Sequence, residues 1–135
     1  MSASAFYDTN VLIYVFDQAE PAKQARAQEL LSSVRPTLSA QVLSEFYVTV
    51  TRKLAKPVSP ELAQQAVAEW SRFTVVPVTG ALVQAAAATA AECQLSYWDS
   101  LIVEAALAGG CRELLTEDLS DGATLRGVRI RNPFV

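Results

Sequence analysis

Asp8, Glu45, Asp99 and Asp118 are the side chains through which this sequence could do chemistry. They matter partly because of an absence: the chain contains no histidine. Ser-His-Asp and Cys-His catalysis, two-histidine RNA cleavage and HExxH zinc chemistry are all excluded. The two cysteines, Cys93 and Cys111, make a poor zinc site by themselves and read as reduced structural thiols. Hydrolysis by such a chain must rest on carboxylates, and carboxylates that act on phosphate usually work through bound cations.

Each acid also has a plain structural reading. Asp8 with Asn10 fits an Asx-turn. Ser96-Tyr97-Trp98-Asp99 fits a capping box, in which Asp99 bonds back to the Ser96 amide. Glu45 falls between the apolar stripe and the polar face of its helix, and Asp118, with Ser120, Asp121 and Gly122, fits a surface turn. Taken together they say more. Several carboxylates at close range repel one another, and in a dry site one or more would stay protonated. A divalent cation removes that conflict, and oxygen ligands with retained waters suit Mg²⁺ or Mn²⁺.

The elements that must position these acids alternate between strand and helix. Residues 5–7 form a short apolar strand that stops at Asp8, and residues 11–16 start a short helix or turn. A helix over 21–34 has proline in its first turn and buries Leu30 and Leu31. Arg35-Pro36 breaks the chain before a second strand at 37–40. Val42, Phe46, Val50 and Leu54, widened by Leu43 and Tyr47, mark the longest helix, ended by Lys56-Pro57. Ser59-Pro60 caps a helix to about Trp70, residues 73–78 read as a strand, and 81–93 as an Ala-rich helix. Ser96 opens a helix that ends at Gly109-Gly110. A strand at 114–116, a turn at 118–122 and an edge-like strand at 128–131 complete the pass.

This alternation predicts an α/β fold, with a parallel sheet covered on both faces and ligands bound beyond the carboxyl ends of its strands. Asp8 and Asp118 follow strands directly. Glu45 lies in the second turn of the helix leaving the second strand, and Asp99 in the first turn of a helix antiparallel to its strand. All four are therefore expected at one rim.

A chain of 135 residues, 51% hydrophobic and 19% charged, fits one domain over 1–135 with a real core. No secretory leader is visible at Met1 to Ala5, so a cytoplasmic location is expected. The uncharged stretch 73–91 contains Pro77, Gly80 and Gln84 and reads as strand, turn and helix, not as a membrane span. Net charge is −3; setting aside Asp8, Glu45, Asp99, Asp118 and Asp121 turns it to +2. Arg52, Lys53 and Lys56 make one candidate basic patch for nucleic acid, and Arg112, Arg126, Arg129 and Arg131 another.

Tyr7-Asp8-Thr9-Asn10-Val11-Leu12-Ile13-Tyr14 closely resembles the opening of PIN domains, especially VapC-type toxins of bacterial toxin–antitoxin pairs. Gln41-Val42-Leu43-Ser44-Glu45-Phe46-Tyr47, Tyr97-Trp98-Asp99-Ser100-Leu101-Ile102 and Leu115-Thr116-Glu117-Asp118-Leu119 resemble the family's later motifs, in order and with usual spacing. The resemblance implies a PIN-like three-layer α/β/α sandwich around a parallel sheet of about five strands. It implies Asp8, Glu45, Asp99 and Asp118 as catalytic and metal-binding acids, supported by Thr9, Asn10 and Thr116, with Asp121 as an additional acid. It also implies a Mg²⁺- or Mn²⁺-dependent endoribonuclease acting on single-stranded or loop RNA, for which the basic patch offers Arg52 and Lys53 as candidate RNA contacts. The implied partners are a small antitoxin, whose C-terminal tail blocks the site, and a second copy in a homodimer. Asp121-Gly122 departs from the aromatic residue common near the fourth acid.

Three rival readings compete. A haloacid-dehalogenase-type Mg-dependent phosphatase needs a second aspartate where Asn10 stands. A receiver-like signalling domain wants paired N-terminal acids and a late lysine, and neither is evident. A catalytically silent PIN-fold module that binds RNA or protein is opposed by the complete acid set.

Overall fold

A computed structural model describes residues 4–135. Met1 to Ala3, part of the reading that no leader is present, lie outside the described residues. Strands β1 (Ser4–Tyr7), β2 (Arg35–Ser39), β3 (Thr74–Val76), β4 (Glu113–Leu115), β5 (Thr124–Leu125) and β6 (Val128–Arg131) form one sheet in the order β3-β2-β1-β4-β6-β5. All neighbours are parallel except β5 and β6. The five parallel strands expected are there, and a two-residue antiparallel β5 forms the edge. The 128–131 segment is therefore an inner strand, not an edge.

β1 is central, and Ala5, Phe6 and Tyr7 are all fully buried. A strand covered on both faces reads as a continuous apolar run, without polar alternation. One set of helices comprises α1 (Thr9–Tyr14), α2 (Pro21–Ser33), α3 (Ala40–Arg52) and α4 (Pro60–Trp70), packed one on the next; α5 (Gly80–Cys93) and α6 (Tyr97–Ala108) form the other. Trp70 meets Phe16 and Phe46 edge-on, and Phe16 lies tilted against Phe46, joining the chain after α1 to α3 and α4. No helix is long and apolar enough to cross a membrane among the described residues.

Several boundaries differ from those read in the sequence, for local reasons. Pro36 lies inside β2, but the β2–β3 ladder begins only at Thr37, so its missing N–H falls ahead of that pairing. Helix α3 stops at Arg52, before Lys56-Pro57, and the Val58 amide returns to the Val50 carbonyl. β3 is three residues long. The chain turns from β5 into β6 through Arg126 and Gly127, both at positive φ, the backbone of a type I′ hairpin turn. Arg126, a side chain that such a conformation disfavours, is clamped by a two-pronged ion pair to the buried Glu104. Arg131 in turn pairs with Glu113. The second candidate basic patch is thus partly used inside the fold.

Gly109 is where α6 comes down on the sheet. A Cβ there would stand 2.7 Å from Thr37 Cγ2 and 3.2 Å from Val76 Cγ2. Gly109→Ala is expected to lower stability by ~1–3 kcal/mol in urea denaturation, because β2 and β3 must move to admit one methyl group.

Candidate active site

From β1 the chain steps outward through β2 to β3, then returns to place β4 and β6 on the other side of β1. The reversal lies between β1 and β4. Crevices form at the carboxyl ends of strands at such a switch point. Asp8 leaves β1 there, and Thr116 to Asp118 leave β4 there, with the Asp8 amide bonded to the Leu115 carbonyl at 3.0 Å.

Asp8 caps α1. Its Oδ1 accepts the Thr9 amide at 2.7 Å, and its Oδ2 accepts the Thr116 hydroxyl at 2.8 Å. Thr116, fully buried, is the hub: its oxygen also accepts from Asn10 Nδ2 at 3.1 Å and from the Asp118 amide at 3.0 Å. Asn10 Nδ2 reaches Asp118 Oδ2 at 3.1 Å and Asp8 Oδ2 at 3.4 Å, while its carbonyl accepts the Glu117 amide. The Asx-turn reading of Asp8 and Asn10 therefore accounts for only part of their bonding. They also join two loops that are over a hundred residues apart.

Glu45 projects from α3, exposed, and its two oxygens are held separately. Thr9 Oγ1 donates to Oε1 at 2.7 Å, and Gln41 Nε2 approaches Oε2 at 3.4 Å. Burial pushes the Asp8 carboxyl up to about 7, further raised by the charges of Asp118 and Glu45 and opposed by the Thr116 and Thr9 hydrogen bonds. Desolvation is the largest cause, since a carboxylate removed from water loses its hydration.

Asp99 stands apart from this network. Ser96 Oγ accepts the Asp99 amide at 3.0 Å, the first half of a capping box. The expected reciprocal bond is not made: the Asp99 carboxylate accepts no hydrogen bond among the described residues. α6 leads into β4 through four residues, which directs its C-terminus to the amino edge and its first turn, with Asp99, toward the opposite one. Asp121 is exposed, and its Oδ1 accepts the Asn132 amide at 2.8 Å, tying down the end of β6. No hydrogen bond joins it to Asp8 or Asp118.

Glu117, Lys23, Tyr14 and Gln41 were not singled out in the sequence. Glu117 turns away from Asp118 to accept from the Tyr14 hydroxyl and from Lys23 Nζ at 3.0 Å. Lys23 also lies 4.9 Å from the centre of the Tyr14 ring, which packs edge-on against Phe134. This clamp anchors the β4 exit loop to α1, α2 and the C-terminal residues. No sequence signal links Lys23 to Glu117, because 94 positions separate them.

The donor set is suited to a hard cation: carboxylates, hydroxyls and a side-chain amide, with no sulfur or imidazole nearby. Gln41 Oε1, beside Glu45, is buried without a donor. Among the described residues, no three acidic, histidine or cysteine side chains close into a cage for a metal.

Comparison with known structures and families agrees with this architecture. A toxin–antitoxin complex from Klebsiella pneumoniae superposes with a TM-score of 0.72 at 21% identity, over 96% of this chain and 97% of that one. A DNA-bound VapBC complex from Salmonella typhimurium gives 0.65 at 22% identity, over 98% and 99%. VapC20 from Mycobacterium tuberculosis, a toxin that cleaves the sarcin–ricin loop, gives 0.62 at 22% identity, over 82% and 86%. Identities this low establish a shared fold. No curated protein sequence matches the chain. The PIN-domain sequence profile matches residues 5–120, spanning all four acids, and the chain belongs to the PIN-domain family.

Proposed function

We propose that this protein is a metal-dependent endoribonuclease, the VapC-type toxin of a toxin–antitoxin pair, with 1–135 as one PIN-like unit. The observation that carries this reading is the Asp8 carboxyl. It is buried at the switch point, raised to about 7, and wired through Thr116 and Asn10 to Asp118. Strain of this kind between acids is relieved by a cation.

Asp8, Asp99 and Asp118 would hold Mg²⁺ or Mn²⁺, directly or through water, and Glu45 would hold a second ion or orient the attacking water. When bound, the dication lowers the pKa of water and offsets negative charge building on the phosphate. The chain's own work is positional. Thr116 aims Asp8 while taking the Asp118 amide, and Asn10 keeps the two acids in register. Thr9 and Gln41 hold the Glu45 carboxylate. Water adds to phosphorus and the bond to O3′ breaks, leaving a 5′-phosphate and a 3′-hydroxyl.

The antitoxin partner is supported by two adjoining clefts. An apolar groove of about 500 Å³ runs between α3 and α4 past Leu43, Tyr47, Val48 and Val67. It shares Ser44 and Val48 with a cleft of about 390 Å³ lined by Thr9, Glu45 and Lys53. A helix seated in the groove would lead a tail into the acids. Homodimerisation and a cytoplasmic location belong to the same reading.

Total RNA incubated with the purified protein should be cut in Mg²⁺ or Mn²⁺ and spared in EDTA, and end mapping should find 5′-phosphates. Failure to cut RNA in either metal, with RNA binding intact, would leave the silent binding module in its place.

A further inference from the structure

Trp98 presents an apolar surface that the fold does not use. It is 63% exposed, whereas Trp70, the other tryptophan, is buried to 7%. An isolated exposed aliphatic side chain is unremarkable, but a large aromatic face left in water is an informative exception. The indole sits in the first turn of α6, immediately before Asp99. Its orientation is also restrained. Tyr97 packs edge-on against it, with ring centroids 5.0 Å apart and planes at 76°. A ring held in this way loses little freedom when something lies on its face.

We propose that Trp98 is a stacking platform for one unpaired base of single-stranded RNA next to the scissile phosphate. This rests on the nuclease reading of the acids. A flat π-surface accepts any base, so the contact favours unpaired RNA over duplex without specifying sequence. It also supplies what the acids cannot. A carboxylate-rich site repels the phosphate backbone until a cation is bound. Stacking holds the nucleotide by an uncharged contact. Trp98 is thus a positioning and specificity residue, distinct from the groups that act on phosphorus.

The test is made on the full chain. In an Asp8→Asn background, expected to cut at least about a hundredfold more slowly, a single-stranded uridine oligonucleotide should quench tryptophan emission. The same backbone carrying abasic sites should not. Trp98→Ala should abolish the quench and weaken binding about 5- to 150-fold, and Trp98→Phe should recover much of the affinity. With Asp8 restored, Trp98→Ala should raise KM with kcat nearly unchanged. The exposed side chain leaves the core intact, which a matching thermal melt verifies. Equal affinity and KM in Trp98→Ala overturn the platform while cleavage by the native protein keeps the nuclease reading. A variant altered only in sedimentation assigns the indole to contact with a second copy and overturns it as well. Base-dependent quenching in a protein that cuts no RNA in any metal keeps a base contact at Trp98 but removes the nuclease reading, and overturns the placement beside a scissile phosphate.

Discussion

Asp8→Asn is expected to fold, to gain little stability from Mn²⁺, and to cleave RNA at least about a hundredfold more slowly than the native chain. The amide is nearly isosteric with a protonated carboxyl, so the Thr9 amide keeps its acceptor. Thr116 already accepts from Asn10 and from the Asp118 amide, so the new Nδ2–H₂ meets a crowded partner and loses part of one hydrogen bond. Against that small cost stands the removal of a buried charge.

The balance depends on pH, and its direction follows from linkage. The folded carboxyl is raised from 3.8 to about 7, so between these values the folded state binds the proton more tightly than the unfolded state. The metal-free native protein therefore loses stability from this group as pH rises from about 4 to about 7, by up to ~4 kcal/mol. Urea melts at several pH values in EDTA should show the difference between native and Asp8→Asn protein shifting in favour of the variant as pH rises. Mn²⁺ should flatten the native curve at neutral pH by binding the ionised form. Parallel curves, or equal metal-induced shifts, would take Asp8 out of the ligand set.

Asp99→Asn is expected to leave stability within about 0.5 kcal/mol and to cut activity by orders of magnitude, with partial rescue at high Mn²⁺. The cap supplies the contrast. Ser96 Oγ takes the Asp99 amide, a bond that Asn at 99 preserves, while the Asp99 carboxylate itself accepts no hydrogen bond among the described residues. Ser96→Ala removes the bond and should cost on the order of 1 kcal/mol while RNA cleavage continues. Thermal melts and cleavage rates of the two variants, side by side, separate the roles. Normal cleavage by Asp99→Asn at low metal would leave Asp99 as a residue of the cap turn and reduce the working acids to three.

The local chemistry of the chain was sufficient for much of the architecture. Short apolar runs such as Ala5-Phe6-Tyr7 and Val75-Val76 became strands. Ser59, Thr79 and Ser96 accept the amides three residues on, as hydroxyls at helix starts do. Parallel pairing followed from strands separated by helices. Asp8 and Asp118 were legible as a pair because each follows a strand directly, and the fold joins their loops through Thr116 and Asn10.

What the sequence alone determined about this protein is the alternating fold and its family, with the four acids as candidates. Only the tertiary structure decided which residues control those acids. Thr116 as the hub, Glu117 turned aside by Lys23, and Arg126 held by Glu104 depend on contacts between distant segments. So does Asp8, whose raised pKa comes from burial and from charges on other elements. Periodicity and capping act over a few residues and leave signs in the sequence. Hydrogen-bond partnership and desolvation arise from packing, and no local pattern encodes them.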